Sequence, residues 1–145
     1  GSGWNAAALE ADIAAARHIR RLGYVPDEEM AALYSAARAL VFPTLYEGFG
    51  MPTVEMLACG GAVLASTAPA VAETVGGAAH LIDPHDQPGW RDALLRACTD
   101  TDWLAELKKD ATEAARPFTW ERCAEQTLAA YRQALGQTRE VKRAA

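Results

Sequence analysis

The stretch between residues 39 and 61 limits the possible folds of this chain most, because an apolar run, a glycine-containing loop and a helix follow one another there. The apolar residues Ala39–Phe42 predict a buried strand. The helical pattern after the loop ends at Gly60 and Gly61, and a second apolar run follows at 62–65. Strand and helix that alternate at such short intervals predict an α/β fold with a parallel sheet and flanking helices.

The loop between the first strand and the next helix is the candidate site. In open α/β sheets, ligands bind at the carboxyl ends of the strands. Pro52 suits the first position of the helix, and the unpaired N–H groups there lie at the positive end of the helix dipole. Such a helix start binds anions, above all phosphate. The candidate amide donors are those of Phe49, Gly50, Met51 and Thr53.

Two carboxylates bracket these amides. Glu47 opens the loop, and Glu55 lies about one turn into the helix. Neither would sit well against a bare diphosphate, because like charges at contact distance repel. Both are better explained as acceptors for hydroxyl groups on either side of the phosphates. A nucleotide sugar has this pattern, with ribose hydroxyls, a diphosphate and sugar hydroxyls in order.

The segment from Glu47 to Glu55 resembles the Glu-x7-Glu signature of retaining GT-B glycosyltransferases of family 4, the glycosyl transferases group 1. Shorter segments that are similar to family motifs lie at 23–29, 33–34, 58–60 and 119–121. The resemblance implies a partial Rossmann-like sheet, the incomplete carboxy-terminal half of a GT-B fold. It implies a nucleotide-sugar-binding domain over 1–135 and a polar tail over 136–145. It also implies that the sequence starts partway through that domain and lacks the amino-terminal acceptor domain.

The same resemblance assigns roles to the site residues. Glu47 is the expected catalytic residue, because it would contact the transferred sugar and support charge at its anomeric carbon. Glu55 would accept hydrogen bonds from the ribose of the donor. The remaining expected nucleotide-sugar-binding residues are Gly48, Phe49, Gly50, Met51 and Thr53. The chemistry would need no metal ion or other cofactor. Without the family's basic pair, which lies upstream, the chain by itself would catalyse little or no transfer to its unknown acceptor.

Less specific interpretations remain open beside this one. Gly48 and Gly50 can serve simply as turn residues with positive φ. Glu55 can interact with the helix dipole alone, which is worth about 0.3–1 kcal/mol without any ligand. The alternative function is a truncated, non-catalytic domain that binds a nucleotide weakly or packs against a protein partner. A response-regulator receiver fits less well, because the expected middle strand ends in Phe42 and Pro43.

Composition narrows the function classes further. The net charge of −5 disfavours non-specific nucleic-acid binding, which requires a basic face. No apolar run approaches the length of a membrane span. The three cysteines are widely spaced, without the spacing of a metal site, and predict free thiols in a reducing, cytoplasmic compartment. No Walker-type phosphate loop or nucleophile motif is present in the sequence.

Hydrophobic periodicity and capping residues complete the expected fold. They predict helices over 5–18 and from Asp27 onward, and about four strands, the first at 19–22 and the last at 78–82. Asp86, Thr101 and Thr119 are the expected N-caps of three later helices. The last helix should carry its apolar residues on one stripe: Trp120, Ala124, Leu128, Tyr131 and Leu135.

Overall fold

The computed structural model describes residues 7–136, and the chain divides into two compact units, Gly1–Met30 and Ala31–Ala145. The first unit contains helix α1 (Ala7–Ala15), and an ion pair joins Arg21 to Glu10 at 3.1 Å. The strand predicted at 19–22 does not form. Its apolar ends flank two arginines, so the segment offers neither an alternating pattern nor a continuous apolar run that a sheet could bury.

The second unit contains three strands and most of the helices. Helix α2 begins in the first unit and continues into the second. The elements are α2 (Asp27–Ala36), β1 (Ala39–Phe42), α3 (Met51–Ala58), β2 (Ala62–Ser66), α4 (Pro69–Val75), β3 (His80–Ile82), α5 (Gln87–Thr99), α6 (Thr101–Lys108), α7 (Ala111–Ala115) and α8 (Trp120–Ala134).

The three strands form one parallel sheet in the order β1-β2-β3. Phe42 is level with Ala65, and Ser66 is level with Ile82. All five residues of β2 are buried, because helices cover both faces of the sheet. The predicted fold class is therefore confirmed, although the described residues form three strands and not four.

Each face of the sheet has its own hydrophobic core. Alternate residues of β2 point to opposite faces, so Val63 and Ala65 enter one core and Ala62 and Leu64 enter the other. The first core is formed with α3, α4 and α7 by Val54, Met56, Leu57, Val63, Ala65, Ala68, Val71, Val75, Ala111 and Ala115. The second core is formed with α5 and α6 by Ala62, Leu64, Ile82, Trp90, Ala93, Ala97 and Leu104.

Helix ends mostly follow the predicted signals. Gly60 adopts φ 71° directly after α3, and the Asp86 side chain caps α5 by accepting from the N–H of Gly89. The prediction that Thr101 caps the next helix is wrong. The cap of α6 is Asp100, whose carboxylate accepts from the N–H of Trp103, and an ionised carboxylate interacts better with a helix start than a hydroxyl does.

Helix α8 is amphipathic, but its apolar stripe faces solvent. Thr119 caps it as predicted, by accepting from the N–H of Arg122. None of its residues is buried. Most of the tail predicted at 136–145, from residue 137 onward, lies outside the described residues.

Candidate functional site

The candidate site lies where β1 ends and α3 begins. Gly50 is the N-cap of α3, with φ 88° and ψ 42°, a conformation that L side chains rarely adopt. A Cβ at this position would also lie 3.4 Å from both Thr53 Oγ1 and Val71 Cγ2. The interpretation as a positive-φ turn residue therefore holds for Gly50. It does not hold for Gly48, which is not among the positive-φ glycines of the described residues.

Thr53 anchors the first turn of α3 from within the core. Its side chain is fully buried, and its N–H and hydroxyl both donate to the carbonyl of Gly50, at 2.9 and 2.7 Å. The prediction of a free Thr53 amide is therefore wrong, because that N–H is already engaged within the protein. Pro52 occupies the second helical position, one residue later than predicted.

Thr74 of α4 holds the loop from the other side. Its hydroxyl donates to the carbonyl of Phe49 at 2.8 Å. In a planar trans peptide the C=O and the following N–H point in opposite directions. Because the carbonyls of Phe49 and Gly50 accept from Thr74 and Thr53, the N–H groups of Gly50 and Met51 point away from these two hydroxyls. Among residues 7–136, no acceptor engages these two amides or that of Phe49.

Glu47 lies half-buried at the start of the loop. Its Oε1 accepts from the N–H of Gly48 at 3.0 Å. Its Cγ would lie 3.9 Å from a Cβ at position 50, so the side chain passes close to the N-cap of α3. Glu47 is therefore held close to Gly50, the N-cap of α3.

Glu55 is exposed on α3 and is held by a residue from another helix. The hydroxyl of Tyr34, on α2, donates to Glu55 Oε2 at 2.9 Å. Burial, followed by this hydrogen bond, raises the pKa of Tyr34 to about 12. The sequence predicts Tyr34 on an apolar face of the helix from Asp27 onward, within the segment at 33–34 that is similar to a family motif, and does not predict its contact with Glu55. The polar tip of a tyrosine on such a face is the signal that could have revealed the contact.

An apolar cavity adjoins the amides. Phe49 is 41% exposed, and its ring meets that of Phe118 edge-on with 5.6 Å between centroids. The cavity has a volume of about 600 Å³ and also contacts Met51, Val54 and Trp120. The ring of Phe49, a loop residue, therefore packs against the segment before α8 and remains partly accessible.

Arg38, which lies just before β1, is engaged by carbonyls of the protein itself. The guanidinium of Arg38 donates to the carbonyls of Ala97 and Cys98, at the carboxyl end of α5. This contact satisfies helix carbonyls that have no intrahelical partner. Arg38 therefore stabilises the second core's helices and does not lie free for a ligand.

The described part of the chain has neither a cluster of metal-ligating side chains nor a helix that could span a membrane. Over residues 7–136, no group of three or more His, Cys, Asp and Glu side chains is arranged to hold a metal ion. Over the same range, no helix has both the length and the apolar character that a bilayer crossing requires. Metal-independent chemistry and a cytoplasmic location stay predictions. Cys59, Cys98 and Cys123 are free thiols.

Comparison with known proteins identifies the family. Residues 1–100 match the family model described as glycosyl transferases group 1. The chain belongs to this family. The resemblance seen in the sequence is thereby confirmed at the level of a GT-B glycosyltransferase.

Individual relatives agree with this assignment. The chain is 40% identical over 114 residues to the O-antigen chain mannosyltransferase B of Escherichia coli, covering 79% of this chain and 30% of the relative. It is 36% identical over 124 residues to a D-inositol 3-phosphate glycosyltransferase of a Nocardioides species, covering 84% and 27%. The chain thus spans less than a third of the length of these relatives.

A solved structure supports the fold. The sucrose-phosphate synthase of Thermosynechococcus elongatus superposes with a TM-score of 0.78 at 30% sequence identity. The superposition covers 90% of this chain and 34% of that protein. The sheet and its flanking helices therefore have the arrangement of one part of a larger glycosyltransferase.

Proposed function

We propose that this chain is the donor-binding part of a retaining, family-4-type glycosyltransferase that uses a nucleotide-diphosphate sugar. One observation carries the proposal. The carbonyls of Phe49 and Gly50 are tied back into the protein, so the amides of Gly50 and Met51 point away from these bonds and have no acceptor among residues 7–136. In the sequence, Glu47 precedes these amides and Glu55 follows them. Membership of the glycosyl transferases group 1 family supports a sugar donor as the ligand.

The amides of Gly50 and Met51 would bind the diphosphate. They lie at the amino end of α3, where the helix dipole favours negative charge. When the sugar leaves the diphosphate, negative charge grows on the leaving group. Amides that already point at that charge stabilise it without reorganising, so this step needs no metal ion.

The two carboxylates would bind the hydroxyl groups on either side of the diphosphate. Glu55 would accept from the ribose, because its carboxylate is exposed and held at one oxygen by Tyr34. Glu47 would contact the transferred sugar and support positive charge at its anomeric carbon. The amide of Gly48 already orients the Glu47 carboxylate at 3.0 Å. Retention of anomeric configuration and assignment to family 4 are part of this proposal.

The chain by itself would transfer sugar poorly. The matched segment covers 30% and 27% of the two relatives, and the proposed site holds donor-binding residues without an identified acceptor site. Several relatives are mannosyltransferases, so mannosyl donors belong in any test.

A second candidate function is a non-catalytic domain that packs against a protein partner. The exposed apolar stripe of α8 favours it, because Trp120, Tyr131 and Leu135 are 76%, 65% and 72% exposed. Such a domain would show no donor binding that depends on Glu55. The same titration therefore separates the two functions.

Calorimetric titration with GDP, UDP and their mannose and glucose conjugates tests the proposal. A hydrogen bond to a charged group is worth about 1.5–3 kcal/mol, so Glu55→Gln should weaken nucleotide binding by about ten- to a hundredfold. Glu125→Gln, an exposed glutamate on α8, is the matched control and should bind like the parent chain. No binding of any of these ligands at millimolar concentration would contradict the proposal.

A further inference from the structure

We propose that Tyr34 is a positioning residue for Glu55, which it fixes so that the carboxylate discriminates a ribose from a deoxyribose donor. This inference rests on the proposed function, since it names a residue that acts through Glu55 at the same site. Tyr34 itself need not contact the ligand. It acts on the orientation of the carboxylate that does.

The contact places a donor that packs against the core opposite an exposed acceptor. The Tyr34 ring is partly buried and packs against the first core, which restricts its movement. Its hydroxyl lies 2.9 Å from Glu55 Oε2. Glu55 is exposed on α3 and would otherwise sample several rotamers. The tyrosine therefore removes side-chain freedom from the glutamate before any ligand arrives, which lowers the entropy cost of binding.

The hydrogen-bonding capacity of the carboxylate fits this role. An ionised carboxylate has two oxygens and about four lone-pair sites. Tyr34 uses one site on Oε2, and within residues 7–136 no group donates to Oε1. Acceptor sites on both oxygens thus stay available and lie side by side. The two adjacent hydroxyls of a ribose can donate to such a pair, whereas a ribose without them cannot.

The tyrosine is a donor throughout the neutral range. Burial raises its pKa to about 12, with the hydrogen bond to Glu55 as the next cause. The phenol therefore keeps its proton, and Glu55 keeps its full acceptor character. A phenolate in this place would instead repel the carboxylate.

A purely structural tyrosine would behave differently. If the bond only satisfied the hydroxyl of the partly buried Tyr34, its removal would lower thermal stability and leave ligand selectivity unchanged. If the bond positions Glu55, its removal must change the ratio of affinities for ligands with and without ribose hydroxyls. That ratio is the readout that separates the two roles.

The experiment compares GDP with 2′,3′-dideoxy-GDP, and UDP with its dideoxy form, by calorimetric titration of the chain. The variants are Tyr34→Phe, Glu55→Gln and the double variant. Tyr34→Phe keeps the ring and removes only the hydroxyl, so melting temperatures should show an intact fold. Tyr131→Phe, an exposed tyrosine on α8, is the matched control.

We expect the preference for the ribose ligand to fall by about three- to tenfold in Tyr34→Phe, which is the size of one hydrogen bond. Dideoxy affinity should stay unchanged, and Tyr34→Phe should add nothing once Glu55 is Gln. Should Tyr34→Phe fail to fold, Tyr34→Leu gives a second route. It also removes the hydroxyl, keeps an apolar side chain against the first core and should lower the same preference.

Three outcomes would overturn the positioning role of Tyr34. A preference that vanishes in Glu55→Gln but persists in Tyr34→Phe overturns the positioning role and leaves the proposed function standing. An equal loss of affinity for ribose and dideoxy ligands in Tyr34→Phe also overturns it. Absence of binding by the parent chain overturns the proposed function and this inference with it.

Discussion

The two faces of the sheet use polar side chains in different ways. On the face of the first core, Tyr34, Thr53 and Thr74 each direct a hydroxyl at a group of the candidate site. On the face of the second core, polar groups serve the helices that cover it. Trp90 donates to the carbonyl of Asp83, and Asp100 caps α6.

Under the proposed function, this difference separates the part of the molecule that would bind a ligand from the part that stabilises the fold. The contacts of the first face leave the amides of Gly50 and Met51 and Oε1 of Glu55 without a partner among residues 7–136. The contacts of the second face join groups of the protein to one another. For example, Cζ of Arg96 lies 4.6 Å from the centroid of the Trp103 ring. Changes on the first face should therefore alter binding, and changes on the second should alter stability alone.

The largest expected effect is a loss of stability at Gly50, on the face of the first core. Gly50→Ala places a Cβ on a residue with φ 88°, and a left-handed conformation costs about 1–2 kcal/mol for an L residue. Gly48→Ala is the matched control, because a Cβ there meets nothing within 4 Å. Urea unfolding should show a clear loss for Gly50→Ala and a change below about 0.5 kcal/mol for Gly48→Ala. Equal losses of unfolding free energy in the two variants would mean that the left-handed conformation of Gly50 does not contribute to the effect.

A smaller effect is expected at Thr74, and it should appear in affinity. Thr74→Val removes the hydroxyl that orients the peptide between Phe49 and Gly50, so nucleotide diphosphates should bind about three- to tenfold more weakly. Thr99→Val removes a similar bond, 2.9 Å long, to a carbonyl within α5. Calorimetry should show unchanged affinity for this control. A loss of affinity in both variants would break the distinction between the faces.

The smallest effect is expected from His80, whose ring meets the edge of Trp103 with 5.3 Å between centroids. Burial, followed by the charge of Arg96, lowers the pKa of His80 below its ordinary value. The neutral form is thus favoured in the folded state. This contribution to stability is present above about pH 6.5 and is lost as the pH falls from there through the lowered pKa.

The variant His80→Leu cannot take up this proton. The free energy of unfolding, measured between pH 7 and 5, should therefore fall less steeply for the variant than for the parent chain. Nucleotide affinity, measured over the same range, should not respond to the substitution. An identical slope in both chains would show that His80 does not contribute to the pH dependence.

Much of the fold and part of the site could be predicted from local sequence. The apolar runs at β1 and β2, the glycines after α3 and the caps Asp86 and Thr119 are signals contained within a few residues. The prediction of a strand at 19–22 is wrong because two arginines separate its apolar residues, which leaves no apolar face to bury. Asp100 was missed as a cap because Thr101, next to it, is also a good capping residue.

The supporting contacts of the site could not be predicted in this way. Thr74 lies 25 residues from Phe49 in the sequence, and Tyr34 lies 21 residues from Glu55. Periodicity reports which face of a helix is apolar, and it does not report which polar tip meets which partner. These contacts follow from how α2 and α4 pack beside α3, which only the tertiary structure shows.

The most direct test of donor binding at the start of α3 is a map of backbone amide chemical shifts on addition of GDP or UDP. If the nucleotide binds there, the amides of Phe49, Gly50 and Met51 shift most, while those of His80 and Trp103 on the opposite face stay unchanged. Shifts that centre on α5 and α6, or no shifts at millimolar nucleotide, would contradict donor binding at this site.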